Sequence, residues 1–394
     1  MRVSIVLEQR FLHTPDGATY DNGHATAAHW QRYLATFEEV QVVGRSQLVS
    51  AVPPGYRRVD APGVTVLHVP SYQGPVGLLR RLPAVVRTLQ RGIEPEDAVI
   101  VRLSGLLGHL AAALRQAQHR PFAAEVINDP YMGYGPAGTQ HPLRPLFRVV
   151  LTGLTQRQCR QAGAVQYVTR EALQRRYPPR RRVPSFGVSD VHLPPEAFRE
   201  APRAYSGPGP LAVLVGSLEQ PHKAVDVAIG ALALLRRRGQ NVRLRIVGDG
   251  PLRSALEAQA EQAGVAAAVE FAGQRSTPQA VRADLAAAEL FLIPSRTEGL
   301  PRALLEAQAQ ALPAIGSAVG GIPELLPPEY LVPPDNAQAL ADVWGRLAAD
   351  PAALSAASAR NLALARGYAD DVLDRERTAF QRVVRSQATR KERP

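Results

Sequence analysis

Cysteine is almost absent from the 394-residue sequence, and long apolar runs are missing altogether. The single cysteine, Cys159, cannot form an internal disulfide, and a metal cluster built on cysteines is excluded. No run of about 18 apolar residues is present, which argues against a transmembrane helix. The N-terminal sequence Met-Arg-Val-Ser-Ile-Val-Leu leads directly into a strand-like segment and is too short in its apolar part for a signal peptide. These shortages predict a cytoplasmic location.

Lysine is also rare, because Lys223 and Lys391 are the only two and the other 44 of the 46 basic residues are arginine. The net charge of +11 is uneven: residues 1–200 carry 24 arginines and 15 acidic residues, a balance of +9, and residues 201–394 carry +2. A basic half favours an anionic partner, such as a membrane surface, a nucleic acid or a phosphorylated acceptor. An arginine-rich genome would produce the same excess.

The length and the order of the predicted elements indicate two domains. A chain of 394 residues exceeds one ordinary core, and a hydrophobic content of 45% supports globular folding. Strands and helices alternate at short intervals, which is typical of parallel, doubly wound α/β sheets. We assign residues 1–195 to an N-terminal domain, residues 196–210 to a linker rich in proline, glycine and charge, and residues 211–369 to a C-terminal domain.

One stretch combines a strand, a turn and a helix with two acidic side chains. Residues 289–293 form an apolar run that predicts a buried strand, and residues 302–310 are rich in helix formers. The turn 297–301 therefore joins the carboxyl end of a strand to a helix N-terminus, where open α/β sheets bind ligands and free N–H groups favour phosphate. Glu298 lies in this turn, and Glu306 lies about two helical turns further on. Both carboxylates can accept hydrogen bonds from a hydroxyl-rich ligand, or Glu298 can cap the helix while Glu306 is solvated.

The stretch 294–306 resembles the Glu-x7-Glu motif of the family-4 retaining glycosyltransferases, which have the two-domain GT-B fold. Three other segments are similar to motifs of that family and occur in its order and rough spacing: Gly216–Asp226, Val247–Pro251 and Gly316–Glu324. The resemblance is close over residues 210–330 and looser in the N-terminal half. It implies an α/β protein with two Rossmann-like domains facing a central cleft. It also implies that residues 370–394 contain a helix that crosses back to the first domain, followed by a tail.

The resemblance implies roles for the charged residues of these motifs. Glu306 would bind the ribose hydroxyls of a nucleotide-sugar, and Glu298 would contact the donor sugar. Lys223 would contact the diphosphate, where negative charge develops as the sugar bond breaks. The family usually has an arginine near that lysine, but Ser217 stands there in this chain, so another cation such as Arg302 can take its place. Whether Glu298 also acts as a nucleophile stays open.

The same resemblance implies further contacts to the donor. Arg275 would lie near the nucleotide base. A glycine of the segment 14–23, which follows the first predicted strand at residues 2–7, would approach the diphosphate; both Gly17 and Gly23 qualify, and the segment can equally be an ordinary surface loop. The remaining contacts to the nucleotide-sugar are expected from Gly216, Ser217, Gly248, Gly299 and Leu300.

The strand predicted at residues 121–127 ends in Asn128 and Asp129. In the resembled family this strand end faces the reaction centre, often with a His-Asp pair. Asn128 stands in place of the histidine and cannot act as a base, although it can hydrogen-bond a sugar hydroxyl. Asp129 is expected to orient the acceptor or the donor.

Residues 76–91 form an amphipathic pattern in which four arginines oppose leucine and valine. Basic amphipathic helices can lie on anionic membranes. The alternative is a surface helix whose apolar face packs on the core. The arginines of this segment are Arg80, Arg81, Arg87 and Arg91.

We therefore predict a retaining glycosyltransferase that moves a sugar from a nucleotide-diphosphate-sugar to a hydroxyl acceptor in polysaccharide or glycolipid assembly. Its partners would be the donor, a saccharide or glycolipid acceptor and an anionic inner membrane face touched peripherally. The sequence has no Asp-x-Asp pair to hold a metal beside a diphosphate, so we predict a metal-independent reaction without cofactors. One alternative is a nucleotide-sugar 2-epimerase of the same fold. Another is a non-catalytic protein that binds nucleic acid through its basic half, but that half lacks the interleaved aromatic residues of a stacking platform, so no nucleic acid is expected.

Overall fold

The computed structural model of the chain describes residues 1–23, 25–103, 105–136, 138, 141–207 and 209–389. Pro208 of the predicted linker and residues 390–394 of the predicted tail lie outside the described residues. The chain falls into two compact units. The first unit contains residues 1–130, residues 149–188 and the residues from Arg375 onward, and the second contains residues 131–148 and 189–374.

The two units differ from the predicted domains at two places. Residues 131–148, which the sequence assigned to the first domain, belong to the second unit, and the division near residue 188 precedes the predicted linker. Much of that linker is held against the second unit, because the Arg203 guanidinium donates to the carbonyl oxygens of Leu285 and Gln310, each at 3.0 Å. Burial of this guanidinium lowers its pKa. Proline, glycine and charge predicted a linker here, but the half-buried Arg203 fixes the segment within the second unit.

The first unit is built around a nine-stranded sheet with mainly parallel pairing. Its strands are β1 (Arg2–His13), β2 (Thr19–Asp21), β3 (Glu39–Leu48), β4 (Arg57–Arg58), β5 (Val64–Pro70), β6 (Ala98–Arg102), β7 (Ala123–Val126), β8 (Ala164–Tyr167) and β9 (Ser185–Gly187). β1 pairs in parallel with β3 and β6, and the sheet continues through β7 and β8 to β9. β5 extends the other side beside β3, and β4 pairs antiparallel with β2.

Helices and short 3-10 turns connect these strands. The helices are α1 (Ala27–Gln31), α2 (Gly74–Gly92), α3 (Leu106–Ala117), α4 (Pro130–Gly133), α5 (Arg144–Gln161) and α6 (Ala172–Arg176), with 3-10 turns at Arg32–Ala35 and Pro195–Ala197. α2 packs on β5, and α3 packs on β1 and β6. The apolar face of α2 predicted from the sequence is only partly used, because Val85 and Leu89 are buried while Val76 and Leu79 are exposed.

The start of the chain differs from the prediction. β1 continues to His13 instead of ending near residue 7, and β2 folds back on it, so the expected loop 14–23 contains a hairpin turn and a strand. The Thr14 N–H donates to the Ala18 carbonyl at 3.0 Å, and Gly17 adopts a left-handed backbone with φ of 85°. Turn-forming residues between two extended segments favour such a hairpin. The extension of β1 was not predicted because polar and apolar residues are mixed after residue 7.

The second unit contains a six-stranded sheet in which every pair is parallel. Its strands are β10 (Leu211–Val215), β11 (Arg243–Val247), β12 (Val269–Gly273), β13 (Leu290–Ile293), β14 (Ala314–Ser317) and β15 (Leu331–Val332). The order β12-β11-β10-β13-β14-β15 reverses direction at β10, as in a doubly wound Rossmann-like sheet. The predicted α/β fold with two Rossmann-like sheets is confirmed.

Eight helices of the described residues follow β10. They are α7 (Val225–Arg237), α8 (Arg253–Gln262), α9 (Pro278–Ala287), α10 (Arg302–Ala309), α11 (Ile322–Leu325), α12 (Ala337–Ala349), α13 (Pro351–Arg366) and α14 (Asp370–Thr389), with 3-10 turns at Pro221–Lys223, Ala266–Ala268 and Pro328–Tyr330. α12 packs on α7, and α13 packs on α10. From Arg375 onward α14 belongs to the first unit, where Phe380 and Val384 share a core with Val3 and Ile5.

His119→Gly is expected to stabilise the first unit. The exposed His119 follows the carboxyl end of α3 with a left-handed φ of 53°, and the Arg120 N–H closes the turn on the Arg115 carbonyl at 2.9 Å. That conformation costs an L-residue about 1–2 kcal/mol, and the greater freedom of glycine in the unfolded chain offsets about 0.4–1 kcal/mol. The net gain should be about 0.5–1 kcal/mol, measured as a later denaturation midpoint with an unchanged slope. His119→Ala keeps the strain, so an equal gain in that control would contradict the explanation.

Candidate active site

The predicted site residues of the second unit lie where three adjacent strands end. β10, β13 and β14 are neighbours in the sheet, and every residue of β13 and β14 is buried. Strands covered on both faces consist of such continuous apolar runs. The turns that follow, at residues 216–223, 294–301 and 318–321, therefore share the carboxyl edge of the sheet, where open α/β folds bind ligands.

An ion pair joins two of these turns. The Lys223 Nζ donates to the Glu298 Oε1 at 2.7 Å, and both side chains are largely buried, with exposed fractions of 19% and 9%. The Ser295 hydroxyl, which is fully buried, donates to the same oxygen at 2.7 Å. Lys223 ends a 3-10 turn, and Ala224 then adopts a left-handed φ of 51° that leads into α7. The carboxylate of Glu298 is thus oriented by two donors from different segments.

The second oxygen of Glu298 has a different environment. Among the described residues, no group donates to Oε2, because Lys223 and Ser295 both donate to Oε1. The residue that precedes α10 is Pro301, and no side chain caps this helix. The alternative in which Glu298 is a helix cap is therefore wrong. A carboxylate with one oxygen held and the other available can accept a hydrogen bond from a ligand hydroxyl.

Glycines let a neighbouring turn approach Glu298 closely. Gly320 has a left-handed φ of 54°, and a side chain there would place its Cβ 2.1 Å from the Glu298 carbonyl oxygen. The Gly321 N–H donates to the Gly299 carbonyl at 2.7 Å. Leu300, next in the chain, is buried. The backbone of 298–299 is therefore held by direct contact with the turn after β14.

Gly216 and Gly248 have a comparable packing role. The Gly216 N–H donates to the Val247 carbonyl at 3.0 Å, and a Cβ at Gly248 would lie 1.9 Å from the Gly216 carbonyl oxygen. Gly248 itself has φ of 147°. Ser217 accepts a hydrogen bond from the Glu219 N–H at 3.2 Å through its hydroxyl, which fixes the local turn. Contacts of these residues to a nucleotide-sugar stay predictions, but the structure explains the glycines by backbone packing.

The sequence analysis missed Arg296, which clamps the turn around Glu298. Its guanidinium donates to both carboxylate oxygens of Asp226, at 3.0 and 2.6 Å, and to Asp335 at 2.6 Å. Its backbone N–H donates to the His222 carbonyl at 2.8 Å. Burial, and to a lesser extent Lys223, lowers the pKa of His222, which keeps this imidazole neutral near physiological pH. Asp226 lies in a motif that carried the family resemblance, so the signal for this contact was present in the sequence.

Glu306 is a mostly buried carboxylate without a partner. It lies in α10, and among the described residues no side chain forms a hydrogen bond or ion pair with it. Burial raises its pKa, and the more distant charges of Arg302 and Arg282 oppose that shift. Arg302 is exposed at the start of the helix. Glu306 is therefore more buried than the solvated surface residue of the alternative interpretation.

Arg275 is already engaged within the protein. Its guanidinium donates to the two carboxylate oxygens of the buried Asp284, at 2.5 and 3.1 Å, and to the Ala272 carbonyl at 2.9 Å. Arg245 also approaches Asp284, at 3.4 Å. These contacts give Arg275 a structural role, and its contact with a nucleotide base stays a prediction.

The first unit contains the other predicted residues. Asn128 is exposed, whereas Asp129 is buried, pairs with Arg176 at 3.2 Å and accepts a hydrogen bond from the Tyr177 hydroxyl. Asp129 therefore fixes the region around α6. Its role toward a donor or acceptor stays a prediction.

The two candidate glycines near the N-terminus have different surroundings. Gly17 lies at the hairpin tip, and a Cβ there would meet nothing within 4 Å. The Gly23 N–H donates to an Asp21 carboxylate oxygen at 2.9 Å, and Gln9 also donates to Asp21. Gly23 thus belongs to a folded turn at the end of β2, while Gly17 is on an extended hairpin.

Comparison with known proteins gives a family match within the second unit. Residues 209–350 match the family model "Glycosyl transferases group 1". Protein CapJ of Staphylococcus aureus is 27% identical over 319 residues, which cover 80% of this chain and 79% of CapJ. The putative colanic acid biosynthesis glycosyltransferase WcaL of Escherichia coli K12 is 37% identical over 161 residues, which cover 38% of this chain and 39% of WcaL.

A GDP-mannose-dependent phosphatidylinositol monomannoside mannosyltransferase of Mycolicibacterium smegmatis is 34% identical over 201 residues, 45% of this chain and 52% of that protein. The chain thus aligns with only about two fifths of WcaL and half of the mannosyltransferase.

Solved structures extend the likeness to both units. Sucrose-phosphate synthase of Thermosynechococcus elongatus has a TM-score of 0.69 at 16% identity, over 96% of this chain and 98% of that chain. HepE of Anabaena, solved in complex with UDP, has a TM-score of 0.64 at 18% identity over the same shares. At these identities the likeness shows the fold, and the predicted GT-B fold is confirmed. The family match itself covers residues 209–350, a little over a third of the chain, and lies within the second unit.

No helix among the described residues combines the length and the apolar character needed to cross a bilayer.

Gly320→Ala is expected to destabilise the second unit strongly. The left-handed backbone costs about 1–2 kcal/mol with a side chain, and the clash with the Glu298 carbonyl adds about 1–3 kcal/mol of overpacking. The loss should therefore be roughly 2–5 kcal/mol, measured by chemical denaturation. Gly264→Ala is the matched control, because Gly264 has φ of 71° but a Cβ there meets nothing within 4 Å. Equal losses in the two variants would show that the contact with Glu298 is unimportant.

Glu306→Gln is expected to raise stability at neutral pH. Because the folded-state pKa of Glu306 is raised, its charge costs stability as the pH rises from the ordinary value of 4.5 through the folded value. Below pH 4.5 the Glu306 side chain is protonated in both the folded and the unfolded state, so the variant and the original protein should have the same stability. Denaturation at pH 4 and pH 7.5 would measure the difference. Glu261→Gln, at an exposed position of α8, is the control; a gain from Glu306→Gln that is independent of pH would contradict the burial argument.

Proposed function

We propose that the protein is a retaining glycosyltransferase that moves a sugar from a nucleoside-diphosphate-sugar to a hydroxyl group. The observation that carries this proposal is the pair of carboxylates beside one strand-helix turn. Glu298 has one oxygen fixed by Lys223 and Ser295, and Glu306 is mostly buried and has no partner among the described residues. Carboxylate oxygens that receive no hydrogen bond from the protein can accept one from a ligand hydroxyl, and a nucleotide-sugar has hydroxyls on both its ribose and its sugar.

The proposed roles follow from what each group can still bind. The Glu306 carboxylate accepts hydrogen bonds from the ribose, and the Glu298 Oε2 accepts one from the donor sugar. The Lys223 ammonium has three N–H donors, of which one is used by Glu298, so it can also contact the diphosphate. Charge that develops on the leaving diphosphate would be stabilised by this ammonium and by the free N–H groups at the start of α10. These groups support a reaction that needs no metal.

The names of the relatives and structural neighbours support a more specific proposal for the sugar donor and for the place of the reaction in the cell. HepE was solved with UDP and with UDP-glucose, whereas the mycobacterial relatives are named as GDP-mannose-dependent. We therefore propose a uridine or guanosine diphosphate donor. Relatives named for colanic acid and amylovoran biosynthesis and for a phosphatidylinositol mannoside support a saccharide or glycolipid acceptor. A cytoplasmic protein at the inner membrane face remains our proposal for the setting. Since the named relatives include several glycosyltransferases, the 2-epimerase alternative is not favoured.

Nucleoside diphosphate binding tests the proposal directly. Thermal unfolding with UDP, GDP or ADP at about 100 times the dissociation constant should show a stabilisation of about 2.7 kcal/mol for the base that the protein uses. Glu306→Ala should abolish this stabilisation, because the ribose loses its acceptor. Glu298→Ala is the matched control, since Glu298 would contact the sugar and not the nucleoside diphosphate. Equal dissociation constants for the two variants would contradict the assigned roles, and no stabilisation by any nucleotide would contradict the function.

Product analysis then addresses the reaction. With the matching nucleotide-sugar and a saccharide acceptor, nuclear magnetic resonance of the product should show the anomeric configuration of the donor, and added chelator should not stop the reaction. Conversion of the donor without acceptor would instead indicate the epimerase.

A further inference from the structure

Arg296 lies two residues before Glu298, in the turn between β13 and α10. Its Nε donates to an Asp335 carboxylate oxygen at 2.6 Å, and one terminal nitrogen donates to the Pro221 carbonyl at 2.6 Å. The two terminal nitrogens also donate to the two oxygens of Asp226, at 3.0 and 2.6 Å. Four of the five N–H donors of the guanidinium are therefore bound to the second unit.

These hydrogen bonds hold the segment that carries Lys223. Pro221 begins the 3-10 turn that Lys223 ends, and Asp226 lies in the first turn of α7. The backbone N–H of Arg296 also donates to the carbonyl of His222, directly before Lys223, at 2.8 Å. Arg296 therefore binds the chain on both sides of Lys223 and restricts the movement of its Cα.

The side chain of Lys223 is guided by a second contact. A Cβ at Gly216 would lie 3.0, 3.2 and 3.3 Å from the Cγ, Cδ and Cε of Lys223, so the lysine stem passes close to the bare backbone of Gly216. Its Nζ then reaches the Glu298 Oε1 at 2.7 Å. Because the stem of a lysine is flexible, a fixed ammonium needs both a fixed Cα and a fixed path for the stem. Arg296 supplies the first, and Gly216 supplies the second.

The arrangement requires an arginine at position 296. The planar guanidinium places Nε against Asp335 and its terminal nitrogens against both oxygens of Asp226, a paired contact that an ammonium cannot form. The Arg296 side chain is only 16% exposed, so these charge-assisted hydrogen bonds compete little with water. Since most of its donors are bound to the protein, Arg296 has little capacity to contact a ligand itself.

We propose that Arg296 is a positioning residue, which holds the Lys223 ammonium where it binds the diphosphate of the nucleotide-sugar. This role rests on the proposed function, in which Lys223 contacts the diphosphate. Arg296 acts through the backbone of residues 221–226. A misplacement of about 1 Å at a reacting group can cost about a hundredfold in rate. A loosened turn would therefore weaken both the binding of the diphosphate and the stabilisation of its developing charge.

The first experiment measures the environment of Lys223 without a ligand. Only two lysines occur in the chain, so lysine that is isotopically labelled at Cε gives two carbon signals in nuclear magnetic resonance. Lys223→Gln identifies the signal of Lys223, because that signal disappears. Arg296→Gln should shift or broaden the same signal, because the ammonium loses its fixed place beside Glu298. An unchanged Lys223 signal in Arg296→Gln would overturn the positioning role.

Arg203→Gln is the matched control for this experiment. The Arg203 guanidinium also donates to four acceptors of the second unit, which are the carbonyl oxygens of residues 285, 286, 288 and 310. Residues 285–288 precede β13, whereas Glu298 follows it. The control variant should lower the stability of the second unit but leave the Lys223 signal unchanged. An equal change of that signal in both variants would show that any loss of stability moves the lysine, and the specific role of Arg296 would be overturned.

A double-mutant cycle then measures the effect on the ligand. UDP or GDP, whichever stabilises the original protein, is titrated into Lys223→Gln, Arg296→Gln and the double variant. Each single substitution should weaken binding about tenfold, because charge-assisted hydrogen bonds to phosphate are lost or misplaced. The double variant should bind no more than about twofold more weakly than Lys223→Gln, since Arg296 acts through the lysine. A loss of about a hundredfold, the product of two independent effects, would contradict the positioning role.

The conservative variant Arg296→Lys gives a further check on the nucleotide affinity. It keeps the positive charge but not the paired contact with Asp226, so its affinity should lie between those of the original protein and Arg296→Gln. Full affinity in Arg296→Lys would show that charge alone is needed, and the positioning by a guanidinium fork would be wrong.

The two measurements separate this proposal from the proposed function. If no nucleoside diphosphate binds the original protein, the proposed function fails, and the Lys223 signal alone decides whether Arg296 positions the ammonium. If a nucleoside diphosphate binds and Lys223→Gln weakens it while Arg296→Gln does not, the positioning proposal fails alone. A shifted Lys223 signal together with a non-additive loss of nucleotide affinity is the result expected.

Discussion

The ion pair between the Lys223 ammonium and the Glu298 carboxylate joins two turns that follow different strands of the second unit. A lysine at this point is unusual in a chain whose basic residues are almost all arginine. A guanidinium would bind the carboxylate with a rigid fork and use both of its oxygens, whereas an ammonium is a compact charge that can bind one oxygen and keep other donors free. The pair therefore orients the Glu298 carboxylate and leaves its second oxygen available. Arg296 joins the same two turns through Asp226 and the His222 carbonyl.

Close backbone contact is the second constraint at this sheet edge. Gly320 against the Glu298 carbonyl, and Gly248 against the Gly216 carbonyl, are approaches that a Cβ would prevent. Family motifs in this region are rich in glycine, which is often explained by ligand approach. In this chain, glycine is needed at positions 248 and 320 because one turn packs closely against another. The turns at the carboxyl edge of this sheet therefore support one another.

The sequence predicted the second unit well and the first unit less well, for physical reasons. The strand predicted at residues 289–293 is found at Leu290–Ile293, because buried parallel strands are continuous apolar runs. The start of α10 agrees with the prediction to the residue, and a proline precedes it. The hairpin of β1 and β2 was missed because its residues alternate without a clear apolar face. Sequence also could not show that Arg275 is bound to Asp284, since that pairing depends on a helix folding back onto a strand end. The pairing of Lys223 with Glu298 likewise appears only when the turns after two different strands are brought together.

The path of α14 has a consequence for how the protein is made. Phe380 and Val384 complete a core that otherwise consists of residues from the first third of the chain and β8, including Val3 and Ile5. During synthesis the N-terminal sheet therefore leaves the ribosome long before the side chains that finish its core. The second unit, apart from residues 131–148, is continuous and can complete its own sheet earlier. Domains usually fold from the N-terminus during translation. In this protein that order is reversed. Synthesis of the first unit begins first, but its core is completed last.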